Sequence, residues 1–276
     1  MPYRVVAGDV ELAVLEVGEP TGRPVVVLPG LSDGLAPVTQ PAAQQLFRHV
    51  PLPLRGYRGL VLSNRLPATG ALTTRLLAAD AAAALEQLLD RPAVLVCHSM
   101  GGMVAQHLAA DRPGLVAGMV LSATTAVADD RLRRVLGRWD QLVADADHLG
   151  FARDAIESSF TGAACAEQLR LLASAPPEPP DTTLLRRHLA LSAACAAHDA
   201  RVRLAAVAAP ALVLLGDRDQ VVDPTATETL AQDLPEARLE RFTGLGHAFP
   251  EQAGTRYTNR VRRFLDRIEA LGWGAA

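Results

Sequence analysis

Residues 97–102 read Cys-His-Ser-Met-Gly-Gly, with the apolar run Ala93-Val94-Leu95-Val96-Cys97 leading in and the helix-forming stretch "MVAQHLAA" (103–110) leading out. A continuous apolar run of this length reads as a strand buried on both faces. No residues are left over for a normal turn. A strand that bends straight into a helix needs small residues at the bend, and it lifts the turn residue above the sheet edge. Here that residue is Ser99. The helix N-terminus behind it offers free backbone N–H groups and a partial positive charge, which suit a developing oxyanion. The plainer alternative is that Ser99 is an ordinary helix N-cap.

The rest of the chain supplies the sheet. Residues 3–17 carry two alternating runs broken by Gly8-Asp9, a hairpin signal. "PVVVLPG" (24–30) and "GLVLSN" (59–64) are buried-strand runs, and 72–89 has apolar residues at helical spacing. Strand 93–98, helix 100–111 and strand 116–122 follow. The alternation stops near 124 and resumes near 210, with strand 211–216, helix 224–233, strand 237–242 and helix 253–270. Strands alternating with helices imply a mostly parallel sheet. The stretch between reads as helices alone, with a proline-rich link at 175–181. The expected organisation is one α/β core, 1–124 and 206–276, carrying a helical insertion at 125–205.

A serine hydroxyl needs a base to become a nucleophile. Of the seven histidines, His247 stands in a glycine-rich loop, "FTGLGHAFPEQ" (242–252), after the last strand. That loop leaves the same sheet edge as Ser99. A base histidine works best with a carboxylate that fixes its tautomer. Strand 211–216 runs into "GDRDQVVDP", which holds three aspartates. Asp219 lies at the loop apex and is the choice. Asp223 precedes Pro224 and reads as a helix N-cap. Asp217 sits in the tight turn, where a carboxylate bonds its own backbone. His98 is expected to point away from the site into packing. Cys97 reads as an inert filler, Asp129 and Asp130 as the cap of the next helix, and Arg131, Arg133, Arg134 and Arg138 as a solvated helix face.

With "LPGLSDG", "CHSMGG", "APALVLLGDRDQVVDP" and "GLGHAFPEQ" in this order, the chain resembles the α/β-hydrolase superfamily. The likeness is to its helical-capped branch of esterases, enol-lactonases and cofactor-free haloperoxidases. The resemblance implies an α/β-hydrolase fold with a mostly parallel central sheet flanked by helices and an all-helical cap. It implies a serine hydrolase acting on an ester, lactone or thioester of a small, largely apolar substrate, through an acyl-serine on Ser99. It also implies an oxyanion hole from the backbone N–H groups of Leu31 and Met100. A perhydrolase, or a small-molecule-binding or biosynthetic protein on the same fold, is the alternative. Gly30, Trp139, Phe151 and Phe160 are the candidate pocket lining. Three departures stand out: Cys97 where relatives have glycine, Pro29 where they have histidine, and "VLSNRLPATG" (61–70) where they have Asp-x-Arg-Gly-x-Gly-x-Ser.

The net charge of −3 argues against a nucleic-acid partner. No apolar window is long enough for a membrane span. Three cysteines at no metal-like spacing read as free thiols of a reducing, cytoplasmic compartment. No metal or organic cofactor is expected. The expected partner is a small-molecule substrate, with a homodimer left open.

Overall fold

A computed structural model of the protein describes residues 3–7, 10–34, 56–65, 71–176, 179 and 181–273. Gly8-Asp9, 66–70 of the "VLSNRLPATG" stretch and part of the proline-rich link lie outside them. The strands are β1 (Tyr3–Ala7), β2 (Val10–Gly18), β3 (Arg23–Leu28), β4 (Tyr57–Leu62), β5 (Ala93–His98), β6 (Val116–Ser122), β7 (Ala211–Gly216) and β8 (Ala237–Phe242). Among the described residues they form one eight-stranded sheet in the order β1-β2-β4-β3-β5-β6-β7-β8. β1 and β2 pair antiparallel, β2 pairs antiparallel with β4, and the strands from β4 onward run parallel.

Alternation across the pleat splits each central strand between two cores. Val26, Leu28, Leu95, Cys97, Met119, Leu121 and Val213 enter one core. Helices α1 (Thr74–Leu88) and α2 (Met100–Asp111) cover it. Val25, Val27, Val94, Val96, Val120, Leu212 and Leu214 enter the other, under α8 (Phe249–Ala270). With both faces covered, the central strands must be apolar throughout, which is why they read as unbroken hydrophobic runs. The edge strand β8 instead carries Arg238, Glu240 and Arg241.

Among the described residues four α-helices lie between β6 and β7: α3 (Asp130–Ala144), α4 (His148–Ser159), α5 (Gly162–Ser174) and α6 (Thr182–Ala196). α7 (Pro224–Asp233) joins β7 to β8. The two ends of the helical segment are tied together, Ala128 N–H to His198 O at 2.9 Å and Ala200 N–H to Ala126 O at 2.8 Å. Asp129 caps α3 by accepting from Leu132 N–H at 2.8 Å, as the sequence suggests. The last helix differs from expectation. It starts at Phe249 rather than 253, and Gly254 (φ 34°, ψ −100°) kinks it. Pro250 in its first turn suits this start, because the missing N–H would be unpaired there anyway. No described helix is long and apolar enough to cross a membrane.

The sheet order reverses at β3 and β5, the point where α/β proteins open a crevice for ligands. Leu28 pairs with Cys97 across these strands, so the segments that follow, Pro29–Leu31 and His98–Met100, leave the sheet side by side. α2 then packs its first turn on β3. A Cβ on Gly101 would stand 2.0 Å from the Leu28 carbonyl oxygen. Gly101→Ala is therefore expected to destabilise the fold by about 1–3 kcal/mol through overpacking, read as a lower urea midpoint.

Three buried histidines make stability depend on pH. Burial lowers His107 and His188 to about 4, and His198 to about 3, with burial the main cause and His107 adding to it. His198 is held neutral between the Thr74 hydroxyl (2.9 Å) and the Thr125 carbonyl (3.2 Å). All three bind protons in the unfolded chain near its ordinary value of about 6.5, before they bind them in the fold. Their contribution is present above about 6.5 and lost as pH falls toward the folded values. Urea midpoints should drop steeply between about pH 6.5 and pH 4, and His198→Asn should flatten that slope.

Candidate active site

Ser99 takes φ 54° and ψ −122° between β5 and α2. For a residue with a Cβ this region costs about 1–3 kcal/mol. The surroundings hold it there. Ser99 N–H donates to Ser122 O at 2.9 Å on the neighbouring strand, and Gly102 N–H donates to Ser99 O at 2.9 Å. A Cβ on Gly102 would meet the Thr124 side chain at 2.6 Å, so both glycines of the motif are needed for α2 to sit this close. Ser99 occupies the N-cap position of α2, yet its side chain makes no capping bond. It is half-buried at the crevice.

Gly30 faces it. A Cβ there would lie 3.7 Å from the Ser99 Cβ. Leu31 opens a single 3₁₀ turn, Leu31–Gly34, and Met100 is the first residue of α2. Among the described residues, neither the Leu31 nor the Met100 backbone N–H donates a hydrogen bond. Met100 directly follows the serine, and Leu31 follows the Gly30 that faces it.

Asp219 and His247 come together from the ends of β7 and β8. These strands finish level, Gly216 opposite Phe242. Asp219 Oδ2 lies 2.8 Å from His247 Nδ1, and both residues are buried. Asp219 Oδ1 accepts from Val221 N–H (2.8 Å) and Val222 N–H (2.9 Å), which fixes the carboxylate's orientation. A carboxylate accepts only, so His247 Nδ1 carries the proton and Nε2 is left as the basic nitrogen. The two loops touch tightly. A Cβ on Gly216 would lie 2.4 Å from Leu245 O and 2.5 Å from Gly246 O.

Asp217 does not bond its own turn, as the sequence suggested. It accepts from Gly244 N–H at 2.7 Å and so braces the histidine loop. Asp223 caps α7, accepting from Thr225 N–H at 2.9 Å. The His98 ring stands against the His247 ring, centroids 4.8 Å apart, where the sequence reading turned it away. Arg131, half-exposed, does more than solvate the helix face: it donates to Asp219 O at 2.7 Å and pairs with Asp223 at 2.9 Å. Arg133 and Arg138 do lie on an exposed face, pairing with Asp130 and Asp154.

The helical segment also reaches the histidine loop. Ala248 N–H donates to Ser159 O at 2.9 Å, and the Thr161 hydroxyl donates to Gly244 O at 3.0 Å. Trp139 and Phe151 pack edge to face at 6.0 Å, with Phe151 edge-on to His188 at 5.3 Å. The Trp139 indole N–H donates to Asp154 at 2.8 Å. These rings build the junction of α3, α4 and α6. Phe160, half-buried, ends α4. Cys97 and Cys195 are buried with their thiols pushed up to about 12, chiefly by burial, which leaves them inert. Among the described residues no cluster of His, Cys, Asp and Glu is arranged to hold a metal ion.

Sequence reasoning missed Asp33 and Arg187. Asp33, in the Leu31–Gly34 turn, accepts from the buried Ser63 hydroxyl, from the half-buried Asn64 and from the buried Arg187. In "TTLLRRHLAL" nothing distinguishes the buried Arg187 from its neighbour Arg186.

A family profile described as the alpha/beta hydrolase fold matches residues 23–253. A protein of Variovorax paradoxus (strain S110) named as a candidate carbamate hydrolase, RutD, is 30% identical over 207 residues, covering 70% of this chain and 75% of its own. The crystal structure of MGS-M2, an alpha/beta hydrolase enzyme from a Medee basin deep-sea metagenome library, superimposes with a TM-score of 0.85 at 17% identity. The match covers 96% of this chain and 97% of that one. The enol-lactonase of Burkholderia xenovorans LB400 gives a TM-score of 0.81 at 20% identity, over 96% and 100% of the two chains. Through its parallel sheet, its strand–serine–helix junction and the profile match over most of its length, the chain belongs to the α/β-hydrolase fold family.

Proposed function

We propose that the protein is a serine hydrolase that cleaves a carboxylic ester, lactone or thioester of a small, largely apolar substrate through an acyl-serine. The observation that carries this reading is Ser99 itself. It is held in a strained backbone conformation, yet its hydroxyl is not spent on capping the helix that follows. A serine kept at that cost, next in sequence to a His98 ring that stands 4.8 Å from the ring of a carboxylate-oriented histidine, suits nucleophilic attack.

In this mechanism the Ser99 Oγ attacks the substrate carbonyl and His247 Nε2 takes its proton. The Leu31 and Met100 N–H groups bind the tetrahedral oxyanion. His247 then hands the proton to the leaving oxygen or sulfur. Water, deprotonated by the same imidazole, releases the acid and restores Ser99. Asp219 stabilises the imidazolium without taking its proton. The segment 125–205 is the cap of the site. The relatives named for carbamate and enol-lactone hydrolysis support acyl chemistry as the class.

A fluorophosphonate probe should label wild-type protein at Ser99, mapped by peptide mass spectrometry, and should fail to label Ser99→Ala or His247→Ala. A folded wild-type protein that takes no label overturns the reading and leaves a ligand-binding protein on this fold. Asp219→Asn keeps the shape but lets His247 adopt the wrong tautomer. Its kcat on p-nitrophenyl acetate should fall by roughly 10⁴-fold, with a circular dichroism spectrum like the wild type's.

A further inference from the structure

Arg187 lies on α6, outside the sheet core, and is 1% exposed. Its bonds in the described structure go to two segments of the core. Nη1 donates to the Asp33 carbonyl. Nη2 donates to Asp33 Oδ2 at 2.6 Å, Asn64 O at 2.6 Å and Ser63 Oγ at 3.2 Å. Nε donates to Arg65 O at 3.1 Å. Asp33 in turn accepts from the Ser63 hydroxyl at 2.5 Å, Asn64 N–H at 2.8 Å and the Asn64 amide at 3.0 Å. One guanidinium therefore knots three pieces of chain together: α6, the Leu31–Gly34 turn and the segment after β4. None of these bonds involves Ser99, Asp219 or His247.

The turn it grips is intrinsically weak. Leu31–Gly34 is one turn of 3₁₀ helix, a form with poor hydrogen-bond geometry. Its own closing bond, Asp33 N–H to Gly30 O, is 3.2 Å long. Something outside the turn must set where Leu31 points, and the Asp33 side chain, two residues on, is held by Arg187. A guanidinium cannot shed its charge, so once buried it stays bound to its acceptors, and its planar fork reaches several at fixed angles.

We propose that Arg187 is a positioning residue for hydrolysis: by clamping Asp33 from α6, it holds the Leu31 N–H at the place where the oxyanion forms. The assignment rests on the serine-hydrolase reading above. A lysine keeps the charge but presents donors from one nitrogen, so it cannot span Asp33, Asn64 and Arg65 together.

Two variants test it. Arg187→Lys keeps the charge. Asp33→Asn with Arg187→Met removes both buried charges, so no unpaired ion is left to unfold the protein. Each is compared with wild type by kcat and KM on p-nitrophenyl acetate and by amide exchange, resolved by segment. We expect exchange at 31–34 to rise at least about tenfold while 100–104 stays protected. We expect kcat to fall by about 10²-fold with KM little changed, the signature of a lost transition-state donor. A merely structural role would lower the melting temperature and leave the kcat of folded protein unchanged, and that outcome overturns the proposal. So does unchanged exchange at 31–34. Wild-type protein that neither takes the fluorophosphonate nor hydrolyses the ester overturns the hydrolase reading and the catalytic consequence with it, while the exchange result still reads the clamp.

Discussion

The fit of Gly101 under the Leu28 carbonyl is the constraint from which the site follows. The pairing of Leu28 with Cys97 puts the ends of β3 and β5 at one level. The chain leaving β5 must then become a helix at once, above the end of β3, and only a residue without a Cβ can pass there. That leaves one position, Ser99, to absorb the change of direction. Its backbone strain is outweighed by bonds the strand and the helix would make in any case, to Ser122 on one side and from Gly102 on the other. The local cost of about 1–3 kcal/mol is small beside the burial of five consecutive apolar residues on β5. The junction therefore belongs to the sheet's stability and not to the loops around it.

The loops are held differently. Leu31, Asp219 and His247 sit on segments that leave the sheet and have few backbone partners of their own. Each is tied down by polar contacts from the helical segment or from a neighbouring loop: Arg187 to Asp33, Arg131 to the Asp219 carbonyl, Ser159 and Thr161 to the histidine loop, Asp217 to Gly244. Buried charges are expensive unless every donor and acceptor is met. The Arg187–Asp33 pair meets that condition, its two partners being 1% and 0% exposed. Such pairs add little net stability, but removing one partner leaves an uncompensated buried charge, so the turn and α6 are held to each other.

This difference in what holds each part explains what the sequence could show. β5, β6 and β7 are legible because burial on both faces demands unbroken apolar runs, and their observed bounds match those runs. The strand-end positions of Ser99, Asp219 and His247 are legible because chain order and turn chemistry locate them, and the structure brings Asp219 against His247. The partners that hold the loops are not legible. Arg187 looks like any arginine on an amphipathic helix, and its burial depends on how α6 lies against a turn more than 150 residues earlier. Asp217 is hidden for the same reason: its carboxylate accepts from Gly244 N–H, one helix and one strand further along the chain, and not from its own turn. The start of α8 is obscured because Gly254 kinks the helix without ending it.

The departures from the family pattern can be weighed by the same geometry. Glycine is indispensable where a Cβ would strike backbone, and that is at Gly101, which the chain keeps. Position 97 is an ordinary strand residue, paired to Leu28 and Leu121, and its side chain enters a core. A small apolar group belongs there, and a thiol pushed up to about 12 by burial is such a group. Position 29 follows the strand end, and the turn beyond it is anchored through Asp33 and not through residue 29. Arg65, kept from the pattern at 61–70, pairs with Asp80 at 2.5 Å, while Ser63 and Asn64 serve as donors to Asp33. The substitutions therefore fall where the backbone has room, and the polar groups brought in beside them are each bonded to the turn that carries Leu31.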